Sequence, residues 1–115
     1  MSAPIRKYHT EAFFSTNETV ALTVGTASSN VAISSTNPDL VQALFVNVGA
    51  NVVYINLGTD NTVTAEIPAS GTPANGIPLL PNSSIVLAIG TATYIAAIAA
   101  ATGNTLFVTV GSGGI

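Results

Sequence analysis

Residues 85–101 read IVLAIGTATYIAAIAAA, 17 residues without a charge, and whether this run is a membrane helix or a pair of strands decides the fold. Its length is at the short end for a helix that crosses a bilayer. Gly90, Thr91 and Thr93 interrupt its middle, and no Lys or Arg flanks it, whereas spanning helices carry basic flanks. In its first half Ile85, Leu87 and Ile89 alternate with Val86 and Ala88, the period of two that a strand imposes on its side chains. Residues 95–101 (IAAIAAA) compete as helix because Ala is the best helix former. That run makes only about two turns, and an isolated helix so short is marginal. The run therefore reads as two strands broken at Gly90, not as a span.

The same alternation extends in both directions. Towards the C-terminus, Thr102-Gly103-Asn104 forms a turn and Leu106, Val108 and Val110 share one face, with residues 111–114 as a tail. Towards the N-terminus, Pro and Gly crowd residues 68–78 (PASGTPANGIP), the longest loop, and Val63 begins a short strand after the turn GTDN at 58–61. Residues 40–48 place Leu44, Val46 and Val48 on one side, and residues 51–57 place Val53, Ile55 and Leu57 together. Joined at Gly49-Ala50, these two runs read as a β-hairpin. Val20, Leu22 and Val24 form an earlier face, and SSTNPD at 34–39 is a dense breaker cluster. Short strands with turn signals at this spacing favour an all-β sandwich or barrel. Residues 1–18 differ, holding four of the charges, the only His and Phe13-Phe14. They read as an arm or an edge strand leading into a domain at 19–115.

Charge is what this chain lacks. Charged residues are 6% of the sequence, against about 25% in an ordinary globular domain. A folded monomer of 11.5 kDa exposes on the order of 5,800 Å², so each charge serves roughly 800 Å² instead of roughly 200 Å². Residues 67–115 carry none, and the mean hydropathy of +0.57 follows mainly from that deficit. Such a surface is poorly defended against association. Arg6 and Lys7 are the only cations, too few for nucleic-acid binding. With no cysteine, disulfides and thiolate metal sites are excluded.

Catalytic sets are incomplete. His9 is the only histidine and lies in the proposed arm, and no Cys or G-x-S-x-G elbow accompanies it. Asp39, Asp60 and Glu66 offer carboxylates for acid–base or calcium work, but Asp39 after Pro38 and Asp60 before Asn61 are ordinary turn placements. We expect no enzyme activity, no cofactor and no metal.

With Leu44, Val46, Val53, Ile55, Leu106 and Val108 inward, the opposite phase exposes Phe45, Tyr54 and Phe107. Three aromatics on separate strands can form an apolar patch, which marks association surfaces. They are the expected self-association face. Ile5, Arg6, Lys7, Tyr8, Phe13 and Phe14 of the arm are the expected contacts to a partner.

Residues 41–115 resemble the small phage virion proteins known as head decoration, cement or capsid-stabilising proteins. The resemblance runs through Phe45-Val46-Asn47-Val48-Gly49, residues 52–58, Val63-Thr64-Ala65, Leu79-Leu80-Pro81-Asn82-Ser83, residues 94–99, residues 106–110 and the ending Thr109-Val110-Gly111-Ser112-Gly113. The loop at 69–76 is longer than that pattern has, and Ser112 stands where an acidic residue is frequent. The resemblance implies an antiparallel β-sandwich, jelly-roll-like, with an extended N-terminal arm. It also implies a structural protein on the outer capsid surface of a phage, made in the host cytoplasm, bridging subunits of the major capsid protein. A homotrimer is expected ahead of a dimer, with no nucleic-acid or membrane partner. A glycan-binding or adhesive tail or fibre module, using Asn56, Asp60, Asn61 and Asn75, is the alternative, as is a head–tail connector or tail structural protein.

Overall fold

The computed structural model describes residues 14–33 and 42–112. Among these are eight strands and no helix: β1 (Phe14–Val24), β2 (Ser29–Ala32), β3 (Gln42–Val48), β4 (Val53–Gly58), β5 (Ile77–Leu79), β6 (Ser83–Ala88), β7 (Tyr94–Ala99) and β8 (Asn104–Ser112). They form two antiparallel four-stranded sheets, sheet A in the order β1-β8-β3-β6 and sheet B in the order β2-β7-β4-β5. Consecutive strands alternate between sheets almost throughout, which is the winding of an eight-stranded jelly roll. The run at 85–101 is thus divided between two sheets: β6 ends sheet A, and β7 lies inside sheet B.

The two sheets enclose one core. Phe45, Ile55, Ile95, Leu106, Val24, Val53 and Val108 are its largest fully buried apolar side chains. Burying such a side chain contributes about 1.5–3 kcal/mol, and in a chain without disulfides this packing supplies the stability. Ala97 and Ala99 on β7 are also fully buried or nearly so. Small side chains there admit Phe45 and Ile55 in the space between sheets about 10 Å apart.

Several expectations are corrected. β3 and β4 are not a hairpin, since β3 pairs with β6 and β8 while β4 pairs with β5 and β7. Tight hairpins need positive φ at the turn, and Gly49 is not among the positive-φ residues Gly71, Asn82, Gly90 and Gly103. Residues 49–52 instead arch from one sheet to the other. The phase of β3 is reversed as well: Ala43, Phe45 and Asn47 are buried, while Leu44 and Val46 face outwards and Val48 is 49% exposed. Both phases of this strand are apolar, and the larger Phe45 takes the core. Val63 begins no strand. At the ends, Phe14 and Ser15 already pair with Ser112 and Gly111, so residues 14–18 belong to β1, an edge strand of sheet A, the second of the two forms expected of this segment. By the same pairing, Gly111 and Ser112 belong to β8 and not to a tail.

Candidate interaction surface

The aromatics expected to share a face are separated. Phe45 is fully buried between the sheets, so it presents nothing to a partner. Tyr54 lies on the outer side of sheet B, since its neighbours Val53 and Ile55 point into the core. Phe107 lies on the outer side of sheet A and is 36% exposed. The two outer faces look in opposite directions and differ in kind.

Sheet B is covered by its own chain. Asn30, Ala96 and Asn56 form an outward row across β2, β7 and β4. The connection between β4 and β5 folds over this row. The Asn30 side-chain amide donates to the carbonyls of Asn61 (2.9 Å) and Val63 (3.4 Å), and that of Asn56 donates to the carbonyl of Thr64 (2.9 Å). The Ala65 N–H donates to Ser28 Oγ at 2.8 Å. Ala96 faces outwards yet is fully buried, and Ala65 is 3% exposed; both are buried by this cover and not by the core. Further along, a Cβ at Gly76 would overlap the Glu66 carbonyl oxygen and stand 3.1 Å from Tyr54 Cβ. Only glycine permits that approach.

Sheet A has no such cover among the described residues. Its outer side is built of four rows read from the registers: Gly111, Gln42, Ala88; Thr19, Thr109, Leu44, Val86; Ala21, Phe107, Val46, Ser84; and Thr23, Thr105, Val48. Thr19 and Thr109 join their hydroxyls at 2.7 Å. None of these side chains is ionisable. The charged residues among the described ones are Glu18, Asp60 and Glu66, and Asp60 and Glu66 sit exposed on the cover of sheet B. Asp60 accepts from the hydroxyl and the backbone N–H of Thr62, which hold its carboxyl below the usual aspartate range. Two of these charges thus lie on the cover of sheet B, and the third, Glu18, is exposed on β1 at the edge of sheet A.

The arch between the sheets carries the two buried polar side chains. Asn47 Nδ2 donates to the carbonyls of Asn51 (2.9 Å), Leu79 (3.1 Å) and Leu80 (3.2 Å). Asn104 Oδ1 accepts from the Asn51 N–H at 3.3 Å, and its Nδ2 donates to the Ala101 carbonyl at 2.9 Å. Together they tie the arch to the β5–β6 and β7–β8 connections. Alternation alone does not reveal this network, although an Asn flanked by two valines in mid-strand, at a position strands disfavour, is its signal.

Of the expected arm residues, Ile5, Arg6, Lys7, Tyr8 and Phe13 lie outside the described residues, and Phe14 opens β1. Among the residues suggested for glycan contact, Asn56 uses Nδ2 on Thr64 and Oδ1 on the Leu57 N–H, and Asp60 is engaged by Thr62. No group of three or more His, Cys, Asp or Glu that could hold a metal occurs among the described residues.

No family model matches the sequence, and no curated protein matches it. Among solved structures, the fold is similar to part of the IMPa metallopeptidase of Pseudomonas aeruginosa. Its complex with T-antigen gives a TM-score of 0.50 at 16% identity, over 94% of this chain and 14% of that one. Its complex with an O-glycopeptide gives 0.49 at 17% identity, over 84% and 12%. The chain thus spans a small fraction of that enzyme, and at this identity the likeness is one of fold.

Proposed function

We propose that this chain is a non-enzymatic structural protein that decorates the outer surface of a phage capsid and cements it by bridging major capsid protein subunits. The observation that carries the reading is the outer face of sheet A, uncovered among the described residues, apolar and threonine-rich with no charge across its four rows. A face of this kind is at odds with a free-standing soluble domain and suited to lasting contact with protein. The sequence resemblance supplies the capsid as the setting. Jelly rolls serve in capsids, lectins and cupins alike, so the fold does not choose among them. The low charge fits a subunit that works in many copies, where linked contacts of modest strength add up to firm attachment.

Binding of the purified protein to capsids stripped of it, followed by copy counting on reconstructed particles, tests the reading. Hundreds of copies over the outer shell are expected. A dozen or fewer at one vertex would place it in a connector or tail instead. Deleting residues 1–13 should weaken attachment if Ile5, Arg6, Lys7 and Tyr8 reach the capsid; unchanged affinity would remove that role from the segment.

A further inference from the structure

We infer that the open face of sheet A pairs with the same face of a second copy of this chain, sheet against sheet across a two-fold axis. This deepens the association role proposed for that face and does not depend on a capsid being present. The face spans the four strands of sheet A, about 19 Å at ~4.8 Å per strand, and the seven residues of β3, about 24 Å. Its projected footprint is roughly 450 Å² per copy. Two such footprints total roughly 900 Å², below the ~1,200 Å² at which standard stable interfaces begin, which fits a weak, concentration-dependent pairing.

Composition selects the occupant. In a two-fold contact each residue meets the partner's version of the same patch, so an ionised group would face its own sign unless an opposite charge stood nearby. Leu44, Val46, Val48 and Phe107 have no sign to repel. The flanking Thr19 and Thr109 carry hydroxyls that both donate and accept, so they can pair with themselves. A charged partner would leave its own ions desolvated here without counter-charges. Residues 1–13 of the same chain are such a partner, since they bring Arg6, Lys7 and Glu11. Two copies packed about 10 Å apart with nearly aligned strands would repeat outside the subunit the geometry already used inside it.

Sedimentation equilibrium on the free full-length protein tests this. The wild type is expected to be mainly dimeric at about 100 µM and to dissociate on dilution, as a small interface requires. Val46→Lys and Val48→Lys should each weaken pairing by at least ~100-fold, because the substitution enters a two-fold interface twice. Circular dichroism and thermal melting confirm that each variant is folded; Val48 is the safer site, being 49% exposed. Tyr54→Lys, on the opposite face, should leave the dimer intact. A wild-type monomer or trimer at that concentration would overturn the pairing. So would a dimer that survives both valine substitutions, or one lost equally with Tyr54→Lys. Capsid binding by a monomeric wild type would overturn the pairing and leave the decoration role standing, so the two failures are distinguishable.

Discussion

Replacing Asn47 by aspartate exchanges one atom group and keeps the shape, yet it should cost more than almost any other polar substitution in this protein. The two N–H groups of the side-chain amide are shared among three carbonyls, and the neighbouring Oδ1 is buried with no protein partner. In the Asn47→Ala variant the Leu79 carbonyl loses its buried bond, worth about 1–3 kcal/mol as an orphaned acceptor. With only two N–H groups to share, the partly accessible Asn51 and Leu80 carbonyls together lose about 0.5–1.5 kcal/mol. The sum is roughly 1.5–4.5 kcal/mol, a large share of the ~5–15 kcal/mol that a domain of this size holds.

In Asn47→Asp an ionised carboxylate would point oxygen at oxygen in a dry site, so its pKa in the folded state must rise above the unfolded value. For an acid shifted upwards, the penalty is absent while both states are protonated. It grows as pH climbs through the unfolded pKa of about 3.9, by about 1.4 kcal/mol for each pH unit, and levels off above the folded pKa. The protonated acid can also return one O–H bond to a carbonyl. Asn47→Asp should therefore be less stable than Asn47→Ala at pH 7 and recover towards pH 4. Urea unfolding followed by circular dichroism measures this as a shift in midpoint at unchanged slope. A loss below about 1 kcal/mol at pH 7, less than one orphaned buried acceptor costs, would refute the role assigned to Asn47. An aspartate variant whose penalty ignores pH would refute it as well.

The cover of sheet B yields further tests. Gly76→Ala should lower stability by about 1–3 kcal/mol, because a methyl must displace the Glu66 carbonyl; an unchanged melting temperature would mean that the cover does not lie so close. Asn30→Ala should cost about 0.5–1.5 kcal/mol. It should also speed amide exchange at Ala65 while the amides of β8 stay protected; equal acceleration in both would point to global destabilisation instead. The Asp60 carboxyl, followed by NMR, should titrate below the ordinary aspartate value, and Thr62→Val should move it back up. A depressed carboxylate stabilises the fold above its unfolded pKa, and that contribution fades as pH falls through the folded pKa. Replacing this carboxylate by an amide (Asp60→Asn) should thus flatten the acid side of the stability curve, and an unaltered slope would contradict the assignment.

Strand identity was legible where alternation met a one-sided pattern. β7 and β8 follow their sequence runs, and Val53, Ile55, Leu106 and Val108 point inwards as their phase requires. In β3 the alternation could not choose a face, because QALFVNV is apolar in both phases. Leu44, Val46 and Val48 outnumber Ala43 and Phe45, while Asn47 looks like a reason to reject the phase that is in fact buried. What reverses the outcome is the long-range bonding of Asn47 to residues 32 and 33 positions away, which a local period does not contain. The hairpin expectation failed for a related reason: a Gly-Ala step marks a change of direction, but whether the chain returns beside itself or crosses to another layer depends on the strands it will meet. The cover of sheet B was hidden by the same logic, since Asn30 and Asn56 each look like turn residues until the 59–66 segment is laid across them.

The separation of Phe45, Tyr54 and Phe107 changes what the scarcity of charge means. As a property of the whole chain it implied a surface sticky everywhere. The structure distributes it unevenly: sheet B is sealed by a segment carrying Asp60 and Glu66 towards water, while the outward rows of sheet A are open and uncharged among the described residues, with Glu18 on the β1 edge. Among the described residues one sheet face is then open, and that face can hold one occupant. If a second copy takes it, a capsid must be met by other surfaces. The β1 edge of sheet A leads directly towards residues 1–13, where both cations of the chain lie. Pairing would then set two such segments on one particle, and the second attachment would become intramolecular, with the gain in strength that follows from a high effective concentration. The neutral face and the charged segment would thus serve one end in sequence, the first by making the protein bivalent and the second by using that valency.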